Sequence, residues 1–477
     1  MYEPLHLFID GKWRAGSEGK TEPVRNPANG EVLGALPHAS RTDLDEALAA
    51  ADRGFRTWKA TSPYDRERII RKAADLLRER VDRIAPVLTL EQGKPIGEAR
   101  IEVAFAADVM QWFAEEGRRA YGRIVPGRNP NLHMKVVREP VGPVAAFTAW
   151  NFPATVPARK ISAALAAGCS CIIKPSEETP GTALAVARAF EDAGLPAGVL
   201  QVVFGAPAEI SEHLLRSPVI RKVTLTGSIP VGKTLARLAA DGLKVLTLEL
   251  GGHAPVIVDA DSNPTQAAEL AVAAKFRNAG QVCISPTRFF VHDSIMRDFV
   301  SRFADLASAL KVGDGMDPAT QMGPLANPRR VEAVESMVED AVAQGARVVT
   351  GGKRVGNIGN FYAPTVLSGV PDAARMMREE PFGPVAPINS FTSLDEAVDR
   401  SNALPYGLAA YVFTRSADRA QRLSERLDVG LVGLNSYVVA QPEIPFGGVK
   451  DSGYGRESGI EGLGAFMVDK TITQLVA

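Results

Sequence analysis

A cysteine and a glutamate stand out in this sequence as a candidate nucleophile and base. Cys283 closes the segment Phe-Arg-Asn-Ala-Gly-Gln-Val-Cys and is one of three cysteines in the chain. A reactive thiol needs small neighbours, backbone amides and access for a substrate, whereas a structural cysteine normally lies in an apolar element. Glu249 stands 34 positions earlier, in an apolar run before two glycines. The pair predicts a thiol nucleophile with a carboxylate base.

The segment from Gly227 to Thr234 has a glycine spacing that fits phosphate binding. It matches the pattern G-x-x-x-x-G-K-[ST], and Asp259 resembles the carboxylate that holds magnesium in nucleotide triphosphatases. That interpretation indicates a nucleotidase or kinase. Pro230 removes an amide donor from the loop, and Asp259 follows Lys233 too closely to lie on a separate neighbouring strand.

The same glycines also fit a dinucleotide. A strand, a turn at Gly227 and Ser228, and a helix that contains Gly232 would place amides and a positive helix dipole beside a pyrophosphate. The fingerprint G-x-G-x-x-G is absent, so an ordinary glycine-containing turn stays open as a third interpretation.

The elements that position these residues form two series. Apolar spacing of three and four predicts helices from Asp43 to about Tyr121. From Val144 onward, short apolar strands alternate with helices, and a second alternating series begins after Gly252. Alternation of this kind predicts parallel sheets covered by helices, so the predicted fold class is α/β with two sheet domains.

Composition and charge exclude several function classes. The chain has 477 residues, 45% of them hydrophobic, and a net charge of −1, which is typical of a soluble globular protein and indicates no nucleic-acid or membrane partner. We expect no transmembrane segment and no signal peptide, hence a cytoplasmic protein. The histidines are scattered, so no catalytic metal is expected. Cys169 and Cys171 are predicted to pack in the core.

Seven motifs in order along nearly the whole chain resemble the aldehyde dehydrogenase superfamily, and the likeness is greatest to NAD(P)-dependent succinate-semialdehyde dehydrogenases. These motifs are Trp150-Asn151-Phe152-Pro153, Lys174-Pro175-Ser176-Glu177, Thr226-Gly227-Ser228, Leu248-Glu249-Leu250-Gly251-Gly252, Gly280-Gln281-Val282-Cys283, Glu379-Glu380-Pro381-Phe382-Gly383-Pro384 and Pro445-Phe446-Gly447-Gly448-Val449-Lys450. The resemblance implies oxidation of an aldehyde to a carboxylic acid.

The predicted domain boundaries combine this resemblance with the two alternating series. A Rossmann-like, parallel-sheet NAD-binding domain is expected over residues 1–122 and 144–251, and an α/β catalytic domain over 252–445. Residues 123–143 and 463–477 are predicted to form a small β oligomerisation element whose strands are held by a partner subunit. A homodimer or homotetramer is therefore expected.

The resemblance also implies the catalytic roles. The Cys283 thiolate attacks the aldehyde, the Asn151 amide and the Cys283 N–H hold the oxyanion, and Glu249 activates the water that hydrolyses the thioester. Glu249 disfavours the coenzyme-A-acylating branch, in which a thiol intercepts the thioester. The presence of both nucleophile and base disfavours a non-catalytic homologue.

For the cofactor, the resemblance assigns Lys174 and Glu177 to the adenosine ribose, Ser228 to the pyrophosphate, and Glu380 and Phe382 to the nicotinamide end. The predicted site is completed by Trp150, Gly227 and Gly232. A carboxylate at Glu177 should accept from both ribose hydroxyls and repel a 2′-phosphate, so NAD is expected to be preferred, with NADP possible.

The substrate prediction depends on two arginines. Arg159 and Arg277 match the arginines that bind the substrate carboxylate in succinate-semialdehyde dehydrogenases, and a guanidinium suits a carboxylate. Succinate semialdehyde is therefore the first candidate. Ala440-Gln441 occupies the stretch expected to supply a serine to the same carboxylate. Glutarate semialdehyde, 2-oxoglutarate semialdehyde or an aldehyde without a carboxylate stay open, and either arginine could instead be an ordinary ion-paired helix residue.

Overall fold

The computed structural model of the protein describes residues 2–476. Met1 and Ala477, the outermost residues of the predicted segments 1–122 and 463–477, lie outside the described residues. No helix between residues 2 and 476 combines the length and apolar character needed to cross a membrane.

Strands occur in four sheets. In chain order they are β1 (Leu7–Ile9), β2 (Lys12–Arg14), β3 (Thr21–Arg25), β4 (Val32–Pro37), β5 (Arg123–Val125), β6 (Leu132–Pro140), β7 (Val144–Phe147), β8 (Cys171–Lys174), β9 (Leu200–Val202), β10 (Lys222–Thr226), β11 (Val245–Glu249), β12 (Ala254–Val258), β13 (Pro286–His292), β14 (Arg347–Thr350), β15 (Thr365–Ser368), β16 (Val385–Phe391), β17 (Ala409–Phe413), β18 (Leu431–Leu434), β19 (Gly453–Tyr454) and β20 (Met467–Leu475).

Helices cover the two large sheets. They are α1 (Arg41–Ala60), α2 (Pro63–Glu79), α3 (Val81–Gln92), α4 (Ile96–Gly117), α5 (Thr155–Ala167), α6 (Pro180–Asp192), α7 (Pro207–Arg216), α8 (Ile229–Ala240), α9 (Pro264–Phe276), α10 (Asp293–Ser308), α11 (Pro328–Ala343), α12 (Arg375–Arg378), α13 (Leu394–Asn402), α14 (Ala417–Arg426) and α15 (Gly459–Gly464), with short 3₁₀ turns at Arg277–Gly280 and Lys450–Ser452.

The first sheet has the strand order β19-β11-β10-β7-β8-β9-β1-β2. Strands β7 to β11 are parallel, and β1, β2 and β19 are antiparallel additions at the edges. Every residue of β7 and β8 is buried, because helices cover both faces of the parallel part. Asn151, Lys174, Ser228 and Glu249 all lie at or just after the carboxyl ends of its strands, where open α/β sheets bind ligands.

The connection from β7 to β8 shows why the chain folds this way locally. Helix α5 is buried along its whole length and ends at Ala167, and its C-cap is Gly168, whose φ of 98° is in the left-handed region that glycine favours. The chain then returns through β8, parallel to β7. This βαβ unit fixes the turn that contains Asn151 above the sheet.

The second sheet has the order β14-β15-β16-β13-β12-β17-β18 and is parallel except for β14. It carries its own hydrophobic core, drawn from residues 254 to 446, while the first core takes residues 5 to 250 together with Leu463 and Phe466. The predicted α/β class with two parallel-sheet units and a small β element is confirmed.

The small third sheet has the strand order β20-β6-β5, and its strands pair within one chain, whereas strands held by a partner subunit were expected. Strand β20 pairs antiparallel with β6 of the same chain over nine residues, from Met467 opposite Pro140 to Leu475 opposite Leu132. Strand β5 pairs with the other edge of β6. Within this chain, β6 is paired along both edges, and β5 and β20 are each paired along one edge.

Candidate active site

A cavity of about 1200 Å³ lies between the two hydrophobic cores. Ten of the residues predicted from the sequence line it, namely Trp150, Asn151, Arg159, Gly227, Ser228, Glu249, Arg277, Cys283, Glu380 and Phe382. Lys174, Glu177 and Gly232 lie outside its lining. The structure thus brings the predicted nucleophile, base and oxyanion donor to one place, although they are distant in sequence.

Cys283 follows a tight turn at the end of α9. Asn278, Ala279 and Gly280 all have positive φ, at 50°, 52° and 73°. This turn directs the chain back into the cavity before β13 begins, and Cys283 is partly exposed there. Burial raises the pKa of its thiol to about 12, and the carboxyls of Glu380 and Glu249 add to the rise. The surrounding protein by itself therefore favours the neutral thiol.

Glu249 ends strand β11 and is 3% exposed. Neither of its carboxyl oxygens has a hydrogen-bond partner among residues 2–476, which is rare for a buried carboxyl. Burial, followed by the nearby charge of Glu457, raises its pKa well above the ordinary value. A carboxyl group that is buried, without partners and reluctant to ionise is suited to accept a proton during a reaction.

Asn151 lies in the turn between β7 and α5, and its side chain is buried. Its Nδ2 donates to the Gln281 carbonyl at 3.1 Å, and Lys94 Nζ donates to its backbone carbonyl at 2.9 Å. Because an amide nitrogen has two hydrogens, one N–H is left to point elsewhere. That donor can serve an oxyanion beside Cys283.

Two buried charged residues near Glu249, namely Lys160 and Glu457, are not predicted from the sequence. Lys160 Nζ donates to Glu457 Oε1, and Thr224 Oγ1 bonds the same oxygen at 3.2 Å. Arg159 Nη1 lies 3.7 Å from Glu457 Oε2. A signal for Lys160 was present, since a lysine inside the largely apolar segment of helix α5 needs a buried partner. Nothing local marked Glu457 as that partner.

The turn after β10 fits a pyrophosphate. Ser228 is the N-cap of α8 but makes no side-chain capping bond, so the amides at the start of this helix remain open to a ligand. The buried hydroxyl of Thr226, which also lines the cavity, has no hydrogen-bond partner among residues 2–476. A Cβ at Gly232 would lie 2.5 Å from the Leu250 side chain, so glycine permits the close packing of α8 on the chain after β11.

The predicted ribose residues lie at the end of β8. Lys174 Nζ and Glu177 Oε1 form an ion pair, and Lys174 is buried while Glu177 is partly exposed. Lys174 is the last residue of β8 and Glu177 follows it, and β8 is separated from β10 by one strand, β7. This is the expected relation between the adenosine end and the pyrophosphate turn of a dinucleotide site.

Glu380 and Phe382 line the opposite side of the cavity. Glu380 Oε1 accepts from the Gly252 N–H at 3.2 Å, and a Cβ at Gly251 would approach Glu380 Oε2 to 2.4 Å. Burial raises the pKa of Glu380 to about 8. Phe382 packs edge-on against Trp150 with ring centroids 5.5 Å apart. A carboxyl group and an aromatic ring at this place fit a ribose hydroxyl pair and a flat ring.

The two candidate substrate arginines have different environments. Arg159 is buried, faces Glu457, and lies 5.1 Å from the Phe446 ring centroid. Arg277 is exposed to the cavity, lies 5.6 Å from the Phe152 ring centroid, and forms no ion pair within residues 2–476. Arg277 therefore has the more available positive charge. Ala440 and Gln441 line the same cavity.

The phosphate-loop interpretation finds no support in the side chains. Lys233 Nζ lies 2.6 Å from Asp451, and Asp259 lies 2.6 Å from Arg419. The two groups that would contact a triphosphate and its magnesium are thus paired elsewhere. Across the part of the chain that the structure describes, no group of three or more His, Cys, Asp or Glu side chains is arranged to hold a metal ion.

Comparison with known proteins agrees with the site geometry described above. The model of the aldehyde dehydrogenase family matches residues 13–472. The chain is 51% identical over 470 residues to the putative 4-(hydroxymethyl)benzenesulfonate dehydrogenase TsaD2 of Comamonas testosteroni, with 98% of each chain covered. It is 41% identical over 456 residues to the NADP(+) succinate-semialdehyde dehydrogenase GabD of Escherichia coli K12, covering 96% of this chain and 95% of the relative. The crystal structure of succinate-semialdehyde dehydrogenase from Burkholderia pseudomallei is 43% identical, with a TM-score of 0.98, and covers 99% of this chain and 98% of that one.

Proposed function

This chain belongs to the aldehyde dehydrogenase family, and we propose that it oxidises an aldehyde with a distal anionic group to the carboxylic acid, with succinate semialdehyde as the first candidate. The resemblance read from its motifs is confirmed at the level of the family, whose members use NAD or NADP. The observation that carries the proposal is the meeting of Cys283, Asn151 and Glu249 in one cavity.

In the proposed reaction, the Cys283 thiolate bonds to the aldehyde carbon. The Asn151 amide and the Cys283 backbone N–H donate to the oxygen that becomes negative. Glu380 and Phe382 would hold the nicotinamide end of a bound cofactor, which would supply the acceptor for the hydride that leaves the same carbon. A thioester to Cys283 is left. The Glu249 carboxylate then takes a proton from water, which attacks the thioester and releases the acid and the Cys283 sulfur.

We propose NAD as the preferred cofactor because Glu177 would oppose a 2′-phosphate. Glu177 is paired with Lys174, so part of its charge is compensated, and the E. coli relative is named for NADP. The preference therefore depends on whether the Glu177 carboxylate reaches both ribose hydroxyls. A ratio of kcat/KM for NAD over NADP that is below one would contradict this proposal.

The anionic group is assigned to Arg277, whose guanidinium faces the cavity without an ion pair inside the described chain. Arg159 is the second candidate, although Glu457 already compensates its charge. A sulfonate would satisfy the same guanidinium as a carboxylate. An aromatic aldehyde with a sulfonate is therefore a competing substrate, favoured by the name of the relative at 51% identity.

We also propose that the third sheet joins subunits into a homodimer or homotetramer. Ile124 on β5 is 88% exposed and Leu475 on β20 is 70% exposed, which is unusual for large apolar side chains. The outer edges of β5 and β20 have no paired strand among residues 2–476. Light scattering of the purified protein tests this, and a monomer at micromolar concentration would contradict it.

One assay tests the main proposal. NADH or NADPH absorbance is followed with acetaldehyde, succinate semialdehyde, glutarate semialdehyde, 2-oxoglutarate semialdehyde and a sulfonated benzaldehyde, each with NAD and with NADP. Higher kcat/KM for the anionic aldehydes supports the proposal, and the best of them names the substrate. Equal values for acetaldehyde and succinate semialdehyde would remove the case for an anion-binding arginine. ATP hydrolysis without any aldehyde-dependent reduction would instead favour the nucleotidase.

A further inference from the structure

The turn that precedes Cys283 has an unusual backbone that requires support. Asn278 and Ala279 are not glycines, yet both lie in the left-handed region, followed by Gly280 in the same region. Such conformations persist where surrounding contacts hold them, and they concentrate at functional sites. The backbone N–H of Asn278 donates to Glu98 Oε2 at 2.9 Å, and its carbonyl accepts from Gln281 Nε2 at 3.1 Å.

The side chain of Asn278 joins this turn to Asn151. Its Nδ2 donates to the Asn151 carbonyl at 3.0 Å and to the Gln281 carbonyl at 3.3 Å. The Gln281 carbonyl also accepts from Asn151 Nδ2 at 3.1 Å. These three contacts form a small closed network in which both the backbone and the side-chain amide of Asn151 are tied to the loop that carries Cys283.

The orientation of the Asn278 amide is set from a distant helix. Gln92, the last residue of α3, donates from Nε2 to Asn278 Oδ1 at 2.7 Å, and its own Oε1 accepts from the Lys94 N–H at 2.9 Å. If the Asn278 amide were flipped, its oxygen would face two carbonyl oxygens and its nitrogen would face a donor. Both side chains are almost fully buried, so water does not offer an alternative partner.

We infer that Asn278 is a positioning residue that holds the Asn151 amide at the distance and angle from Cys283 that the oxyanion requires, with Gln92 fixing its orientation. The inference rests on the proposed function, because it assigns the oxyanion to Asn151. Asn278 does not itself touch the substrate in this assignment. Since Asn151 lies on the connection from β7 to α5 and Cys283 lies just before β13 of the second sheet, Asn278 connects the donor and the nucleophile across the cavity.

The test uses Asn278→Gly, because glycine adopts positive φ without strain and so removes the side chain while keeping the turn. The pre-steady-state rate of NADH formation should fall by about 10- to 100-fold, as expected when a reacting group is slightly misplaced. The KM for NAD should not change. In an Asn151→Ala background, the same substitution should lower the rate by less than about 2-fold, since residues that act through one another are not additive.

Two further variants separate positioning from stability. Gln92→Leu removes the donor to Asn278 and the acceptor of the Lys94 N–H, and it keeps both backbone bonds of Asn278. It should lower the burst rate in the same direction. Asn389→Ala removes a comparable buried amide outside the cavity lining, which bonds the Val370 N–H and carbonyl at 2.8 Å each. It should lower the melting temperature without changing the burst rate.

The outcomes distinguish the inference from the proposed function. The inference alone would be overturned by an unchanged burst rate in Asn278→Gly. It would also be overturned if Asn278→Gly lowered the burst rate equally in the wild-type and Asn151→Ala backgrounds. If the wild-type protein fails to reduce NAD with every aldehyde tested, the proposed function is overturned, and the inference with it. If Asn278→Gly does not fold, the same comparison is made with Gln92→Leu, for which an unchanged burst rate overturns the inference.

Discussion

The buried carboxyl groups of Glu249 and Glu457 are near enough for the charge of one to affect the pKa of the other. Glu457 is paired with Lys160 and Arg159, whereas Glu249 has no cationic partner within residues 2–476. Burial opposes ionisation of both. Lys160 and Arg159 outweigh that effect at Glu457 and hold its pKa below the ordinary value, whereas the pKa of Glu249 rises further because Glu457 is charged. The proposed base is thus tuned by a residue that does not contact the substrate in our assignment.

Replacing Glu457 with Gln should shift the pH dependence of thioester hydrolysis. A base acts in its deprotonated form, so the rate rises with pH through the pKa of Glu249. Loss of the neighbouring negative charge lowers that pKa, so the acidic limb should move to lower pH. The acidic limb is obtained by measuring the steady-state rate that follows the NADH burst at a series of pH values. Glu461→Gln, which removes an exposed charge nearby, should leave the limb in place; a limb that stays or moves upward in Glu457→Gln would contradict the assignment.

Cys283→Ala should lower aldehyde-dependent NADH formation by at least about 10³-fold, because no other group in the proposed site can form the thioester. Its melting temperature and NAD affinity should stay close to those of the wild type. Cys169→Ala is the matched control, since this cysteine is buried in the first core and should be dispensable for the reaction. Wild-type turnover in Cys283→Ala would end the proposed mechanism.

Glu380→Gln should make Cys283 more reactive in the absence of cofactor. After burial, Glu380 is the largest cause of the raised pKa of Cys283, and removing its charge increases the thiolate fraction. Alkylation by iodoacetamide at a fixed pH above 8, where Glu380 is ionised, should speed up by about 2-fold or more. A slower or unchanged alkylation rate would show that Glu380 does not act on the thiol.

Arg277→Ala should raise the KM for succinate semialdehyde by about 10- to 100-fold, since a charge-assisted contact to the substrate is lost. Values for propanal, which has no anionic group, should change little. Arg297→Ala is the control, because that arginine is almost fully exposed and lies outside the cavity. Equal losses for propanal and succinate semialdehyde would point to a structural role for Arg277.

Glu177→Gln should change the cofactor preference toward NADP by about tenfold, because the repulsion of a 2′-phosphate is removed. The ratio of kcat/KM for the two cofactors measures this directly. Lys174 loses its partner in this variant and gains freedom to pair with the phosphate. An unchanged ratio would mean that the Glu177 carboxylate does not face the ribose.

Local sequence was sufficient for the features that have a local cause. Alternating apolar strands and helices predicted the two parallel sheets, and the polar surroundings of Cys283 with the apolar run around Glu249 marked a nucleophile and a base. The ion pair between Lys160 and Glu457 joins residues 297 positions apart, and no periodicity or spacing connects them. Residues 123–143 and 463–477 were predicted to form one small β element, but the pairing of β6 with β20 within one chain was not predicted, because the alternation of each strand does not identify its partner.

The division of the cavity wall between two cores has a consequence for how the enzyme fails. Asn151 and Glu249 are carried by the first sheet, while Cys283 and Glu380 are carried by the second. A rigid-body rotation of one half by a few degrees would separate every reacting pair at once while leaving each half intact. Under mild denaturant, turnover should therefore vanish at concentrations that leave the circular dichroism of both halves unaltered.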